Sequence, residues 1–164
     1  MNDFYFTDKF VKSVYESNVA AGVDYMEFGY RHDKKQFDPS KFGKWKFASD
    51  EDIRGIVGDN NTRMKISIMA DVGRCDYKND FKPKSDSLVD CIRIATYIDT
   101  IPEAIDMINY AHNMGYETTC NIMAITKCTM IKLAEALDML ANTPVLGVYI
   151  VDSYGSLYPK ETRR

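Results

Sequence analysis

Histidine is scarce in this chain of 164 residues: it occurs twice, and the four cysteines include no CxxC pair. A Cys/His zinc site needs several such ligands at close spacing, so that class is excluded. Long apolar runs are missing as well. None approaches the roughly 18 residues that a membrane span requires. The start, Met1-Asn2-Asp3-Phe4, carries neither the basic nor the apolar region of a secretory signal. A cytoplasmic setting is therefore expected, with no membrane partner, and reduced thiols fit it. Cys91 and Cys120 sit inside apolar runs, where cysteine acts as a small buried hydrophobe. No GxGxxG, Walker or G-x-S-x-G pattern occurs. Excess positive charge is lacking too. The net charge of -3 argues against nucleic acid as a partner, whose binding needs a basic stripe.

What is present is an ordinary folded composition, 45% apolar and 27% charged, of a length for one domain. Two periodicities alternate along it. Thr7 caps an expected helix with Phe10, Val11, Val14, Tyr15 and Val19 on one face, stopped by Gly22. A strand is expected over 23–31, then a long loop over 32–48. Ser49 and Asp52 form a capping box before Ile53, Ile56 and Val57, and Gly58 ends that helix. A strand over 65–70, a loop over 72–87 and a strand over 88–95 follow. Thr100 and Glu103 read as another capping box, with Pro102 in the first turn of a helix that Gly115 stops. A strand over 117–123 comes next. Thr129 then caps a helix carrying Met130, Leu133, Ala134, Leu137 and Leu140, before a last strand over 145–151. Strands alternating with helices predict an α/β fold of parallel strands and right-handed crossovers. The near-continuous apolar runs predict strands covered on both faces.

Parallel α/β folds bind ligands at the carboxyl ends of their strands. Reading each strand to its end gives Glu27 and Arg31, Asp71, Arg93, Asn121, and then Asp152 with Ser153. Each also has a structural reading. Glu27 can be a carboxylate paired with Arg31 or Arg93, and Asp152 can cap the turn after its strand. Arg93, between Ile92 and Ile94, must find anions to offset its desolvation. The basic and aromatic run over 41–47 reads as a lid or a packing loop. His32 and His112 are isolated and read as surface or structural residues.

Three segments carry a resemblance. They are the run over 20–31 (AAGVDYMEFGYR), the run over 91–96 (CIRIAT) and the run over 149–159 (YIVDSYGSLYP). In this order and spacing they resemble the aldolase/HMG-CoA-lyase-like, pyruvate carboxyltransferase-type family of (β/α)8 barrels, and within it the 4-hydroxy-2-oxovalerate aldolase-like proteins. The resemblance covers nearly the whole chain. It implies a C–C lyase that cleaves next to a 2-oxo acid or thioester, with a divalent metal (Mn or Mg) and an arginine stabilising the enolate. By that resemblance Glu27, Arg93 and Asp152 match catalytic positions and Ser153 a substrate-binding one. Arg31 and Asn121 join as substrate-binding candidates from the strand ends.

The family's first-strand Arg-Asp-Gly and seventh-strand His-x-His do not occur here. The resemblance therefore implies an incomplete (β/α)8 TIM barrel spanning strands two to six, one partial catalytic domain over 1–164. A closed barrel takes about 250 residues. No metal ligand of the family falls within this sequence, so the chain alone is expected to be inactive. Two other readings stay open: a small flavodoxin-like ligand-binding sheet, and a non-catalytic fragment that survives by dimerising. A homo-oligomer is expected, because an open barrel leaves apolar edges uncovered.

Overall fold

The computed structural model describes residues 3–160. Its order is α1 (Asp8–Ala21), β1 (Tyr25–Tyr30), α2 (Asp50–Val57), β2 (Lys65–Asp71), α3 (Tyr77–Asp80), β3 (Cys91–Tyr97), α4 (Ile101–Asn113), β4 (Glu117–Met123), α5 (Met130–Ala141) and β5 (Gly147–Ile150). All neighbouring strands are parallel, in the order β1-β2-β3-β4-β5. Each connection advances one strand in the same direction, as consecutive staves of a barrel do. A flavodoxin-like sheet would reverse its order at one point. The fold is α/β and consistent with a partial TIM-barrel-like domain. The flavodoxin-like reading falls on strand order.

Local chemistry sets most boundaries. The Thr7 hydroxyl accepts from the Phe10 amide and that of Thr129 from the Lys132 amide. Ser49 and Asp52 make both halves of a capping box. Gly22 takes the left-handed conformation that closes α1. The expected Thr100–Glu103 box does not form. The Thr100 hydroxyl lies 2.9 Å from that of Thr96 and bonds the Tyr97 main chain, so it does not cap α4. β3 begins at Cys91 rather than at 88, because Ser87 holds the Val89 amide and the Asp90 carboxylate holds the Ile66 amide.

The strands are not apolar on both faces. Their side chains alternate. Met26, Phe28, Ile66, Ile68, Ile92, Ile94, Cys120 and Ile122 are buried in the core cluster, with Ala104, Met107, Ile108 and Ala111 of α4 in the same cluster. Full burial of each isoleucine contributes about 1.5–3 kcal/mol. The intervening residues, Glu27, Ser67, Arg93 and Thr119, line the concave face. The apolar outer face builds the core, and the inner face is left for polar groups.

β1 carries one irregularity that changes the site. Glu27 is in register with Ser67 and Tyr30 with Met69, so β1 takes three steps where β2 takes two. The extra residue falls around Gly29, whose φ is +110° and whose backbone lies against the Trp45 carbonyl. A bulge of this kind flips side-chain parity beyond it. Tyr30 thus shares a face with Met69, and Arg31 turns the other way.

The 32–48 loop is a packing loop. Trp45 is buried 6.0 Å from the Phe28 ring. The Lys46 ammonium lies between the Phe42, Phe37 and Phe4 rings, at 4.1, 4.3 and 5.0 Å. Phe47 bridges back to Arg31. Among the described residues no helix is long and apolar enough to cross a membrane.

Candidate functional site

The concave face holds a groove of about 410 Å³ lined by Tyr25, Glu27, Ser67, Cys91, Arg93, Thr119 and Tyr149 among others. At its centre Glu27 and Arg93 form a two-point ion pair. Arg93 Nε donates to Glu27 Oε2 and Nη2 to Oε1, both at 2.7 Å. The pair reaches from β1 over β2 to β3, so it ties three strands. Both side chains keep about a third of their surface or less exposed. Planar two-point pairing fixes the guanidinium plane. Nη1 takes no part in the pair, and Arg93 lines the groove.

The amino end of the same face is closed by a second polar group. The Tyr25 hydroxyl donates to Glu117 at 2.8 Å, and Lys65 pairs with Glu117 and bonds Tyr25 at 3.2 Å. Burial works against ionisation of Glu117, yet the bonds from Lys65 and Tyr25 outweigh it and hold the carboxyl below its usual range. This group links β1, β2 and β4 below the Glu27–Arg93 pair.

The carboxyl end carries a third. His32 Nε2 lies 3.1 Å from Asp71 Oδ2, and Arg74 Nη1 lies 3.8 Å from the same oxygen. His32 and Asp71 are 6% and 7% exposed. Tyr30 packs 4.7 Å from the His32 ring. Burial raises the pKa of the Tyr30 phenol, and Asp71 and Glu27 push it the same way while Arg93 and Arg74 oppose them. Tyr30 thus stands within electrostatic reach of both pairs. Asn121, on the same face of β4 as Thr119, is 6% exposed and its Oδ1 has no partner among the described residues.

The sequence-derived candidates divide. Glu27, Arg93 and Asn121 share the concave face. Arg31 does not join them, and its expected place on the rim is corrected by the bulge at Gly29. It is half-buried on the other side, with Nη2 donating to Asp50 at 2.9 Å and Nη1 to the Asp80 carbonyl at 3.4 Å. Burial opposes ionisation of Asp50, but Arg31 and the Ser87 hydroxyl prevail and keep its carboxyl low.

Asp152 and Ser153 are engaged with main chain. Asp152 Oδ2 accepts from the Leu157 amide at 2.9 Å, and Ser153 Oγ accepts from the Ala124 amide at 2.9 Å. Ala124 itself has a φ of +55° at the end of β4. The Leu157 amide first, and the Ser156 amide after it, lower the Asp152 pKa. A lowered carboxyl stabilises the folded loop above its unfolded pKa, and that contribution is lost as pH falls through the folded value. Asp152→Asn is therefore expected to lower the protection factors of the amides of residues 153–157 at neutral pH and to remove most of the acid dependence of those protection factors, read by hydrogen–deuterium exchange corrected for intrinsic rates between about pH 3 and 7.

Sequence reasoning did not single out Tyr25, Ser67, Lys65, Glu117 and Thr119 for this face. The signal for Lys65 and Ser67 was the polar–apolar alternation of Lys65-Ile66-Ser67-Ile68, whereas the run Glu117-Thr118-Thr119 gives no alternation. It read His32 as isolated, because its partner lies 39 residues away in the chain.

The described residues do not fit the divalent metal that the family resemblance implies. No three of their His, Cys, Asp and Glu side chains come together in a way that could hold an ion. His32 and Asp71 supply two donors, and both Glu27 oxygens are taken by Arg93.

No family model matches the chain. It is 23% identical over 159 residues to a 4-hydroxy-2-oxovalerate aldolase of Bacillus cereus, covering 96% of this chain and 46% of that protein. A second 4-hydroxy-2-oxovalerate aldolase, of Bacillus thuringiensis, is 22% identical over the same shares. In fold it is similar to the crystal structure of the N-terminal domain of a candidate aldolase from Bacteroides vulgatus, with a TM-score of 0.64 and 26% identity over 96% of this chain and 52% of that one. The chain spans about half the length of the curated relatives it matches. By sequence and by fold it is aldolase-like.

Proposed function

We propose that this chain is an aldolase-type domain that acts on the bond between C3 and C4 of a 2-oxo acid, one carbon out from the carbonyl, with 4-hydroxy-2-oxo acids as its substrate class. The observation that carries the reading is the Glu27–Arg93 pair on the concave face of a barrel-like sheet. Cleavage of such a bond pushes an electron pair onto the 2-oxo carbonyl. A cationic donor already held in place stabilises that charge without reorganising. Arg93 has that form: Glu27 fixes Nε and Nη2, and the side chain lines the groove with Nη1 outside the pair. Asn121 is placed to receive a polar part of the same ligand. In this reading Asp152 and Ser153 shape the loop after β5 and do not themselves react.

The same reading assigns the divalent metal, Mn or Mg, to ligands other than these residues. The 164-residue chain then binds a 2-oxo acid without turning it over. Two measurements test this. Pyruvate should perturb the Arg93 Nε resonance, and pyruvate release from 4-hydroxy-2-oxovalerate should stay at background with either metal added. No pyruvate response at Arg93 sinks the substrate class, and clear turnover sinks the assignment of the metal. We also propose self-association. Phe6 and Phe10 beside β1 and Leu146, Tyr149 and Ile150 at β5 are exposed at the two open edges, so light scattering at high concentration should report an oligomer.

A further inference from the structure

We propose that Asn121 recognises the C4 hydroxyl of a 4-hydroxy-2-oxo acid and thereby separates hydroxylated from plain 2-oxo acids. This rests on the aldolase-type reading above, and it assigns the part of the substrate that Arg93 does not meet.

The Asn121 carboxamide is left unsatisfied by the fold. The residue is 6% exposed, and its Oδ1 has no partner among the described residues. Buried polar side-chain atoms are nearly always hydrogen-bonded, and each exception calls for a water, an ion or a ligand. Core packing does not account for the residue either. Cys120 and Ile122, on either side of it, point to the opposite face and join the core cluster, and Asn121 does not.

Register places the carboxamide beside the groove. Thr119 is the β4 partner of Arg93, and Asn121 is the partner of Ala95. Asn121 therefore stands on the strand next to Arg93, one row or about 6.6 Å further towards the carboxyl end. Its partner on β5 is Tyr149. Thr119 and Tyr149 both line the groove, so the carboxamide lies in the wall between two lining residues. Ala95 puts only a methyl group between Arg93 and this row. Tyr149 is 51% exposed on the edge strand, so its ring can turn aside without disturbing the core.

Hydrogen-bond chemistry selects the group that fits. The carboxylate and oxo oxygens of a 2-oxo acid only accept, and Arg93 only donates. An amide oxygen also only accepts, so it has nothing to offer those oxygens. The C4 hydroxyl is the one donor on an ionised 4-hydroxy-2-oxo acid. It accepts as well, so it serves the carboxamide in either orientation. It sits two carbons beyond the oxo group, and the one-row offset from Arg93 leaves room for them. Asp71 Oδ1, across Ala95, is another unpartnered oxygen in this row, but Asp71 already meets His32 and Arg74 through Oδ2.

The test uses the full chain labelled with ¹⁵N in asparagine and arginine, with two acids of equal length, 4-hydroxy-2-oxovalerate and 2-oxovalerate. Both should shift Arg93 Nε. Only the hydroxy acid should shift the side-chain amide of Asn121, and it should bind about tenfold more tightly. Asn121→Leu keeps the branching of the side chain and removes its polar atoms. It should bring the hydroxy acid down to the affinity of 2-oxovalerate, and Asn121→Ala should do the same without the larger side chain. The urea midpoint of Asn121→Leu should not fall, because an unsatisfied buried polar group replaced by an apolar one of similar shape is close to neutral. An advantage of the hydroxy acid that survives both replacements overturns the role of Asn121. So does equal binding of the two acids by the unaltered chain, or a urea midpoint lowered in both variants, which would show that the carboxamide serves the fold. Absence of any Arg93 response to either acid overturns the substrate class itself, and the role of Asn121 falls with it.

Discussion

Arg93→Met is expected to abolish the binding of pyruvate and to lower stability by about 2 kcal/mol in urea unfolding. Glu27→Leu should cost a similar amount, and the double replacement much less than the sum. The asymmetry follows from what each change leaves behind. Removing one partner strands the other charge on a face that is two-thirds or more shielded from water. Breaking a fully buried pair costs about 3–5 kcal/mol, and the residual exposure here lowers that figure. Removing both partners leaves an apolar patch of similar shape, which is close to neutral. The coupling energy from the four proteins should therefore be about 3 kcal/mol or more and stabilising. Simple additivity would mean that the two side chains are solvated separately, and the fixed guanidinium on which the aldolase-type reading depends would be lost with it. The binding arm separates function from stability. Glu27→Leu leaves Arg93 charged but free to rotate, so pyruvate should still bind, and more weakly. Arg93→Met removes the donor itself.

That pair was legible in the sequence because its physics is local. An arginine flanked by Ile92 and Ile94 cannot sit in a strand without an anion, and Glu27 in an apolar run needs a cation. What the run of residues could not reveal is which of Arg31 and Arg93 the glutamate takes. The choice depends on the parity of β1 beyond Gly29, which is set by a contact with a loop residue 16 positions away in the chain. The parallel strands with helical crossovers followed from the alternation of periodicities, but the strand order did not, because a flavodoxin-like sheet alternates in the same way. The polarity of the concave face was hidden by β-branched and small residues that suit either face, such as Thr118 and Thr119. Thr118 is fully buried with its hydroxyl unpartnered among the described residues, and Thr119 lines the groove. Asp152 had two readings of equal standing in the sequence, and the Leu157 amide shows that its carboxylate holds the turn. The His32–Asp71 pair had no local signal at all, since each residue alone is an ordinary polar residue at a strand end.

Gly29→Ala is expected to lower stability by about 3 kcal/mol or more and to alter which side chains reach the groove. Two costs act together. An alanine at a φ of +110° occupies a region that L-residues rarely enter, worth about 1–3 kcal/mol. Its Cβ would also lie 2.2 Å from the Trp45 carbonyl oxygen, and that oxygen is backbone, so no side-chain rotation relieves the contact. The loop carrying Trp45 must move or β1 must lose its extra residue. Either response has a readable signature. If the loop moves, Trp45, now buried against Phe28, becomes solvated and its fluorescence shifts to the red. If β1 straightens, parity beyond Phe28 flips, Arg31 swings towards the concave face and leaves Asp50, and Tyr30 leaves His32. The pyruvate response of Arg93 should then weaken, because a second guanidinium competes for Glu27. Gly58, at a φ of +64° with no atom within 4 Å of where an alanine Cβ would stand, is the control: Gly58→Ala carries the backbone cost alone and should lower stability by about 1 kcal/mol with Trp45 fluorescence unchanged. Equal losses at the two glycines would show that the Trp45 carbonyl yields freely, and the bulge would then not be what decides between Arg31 and Arg93.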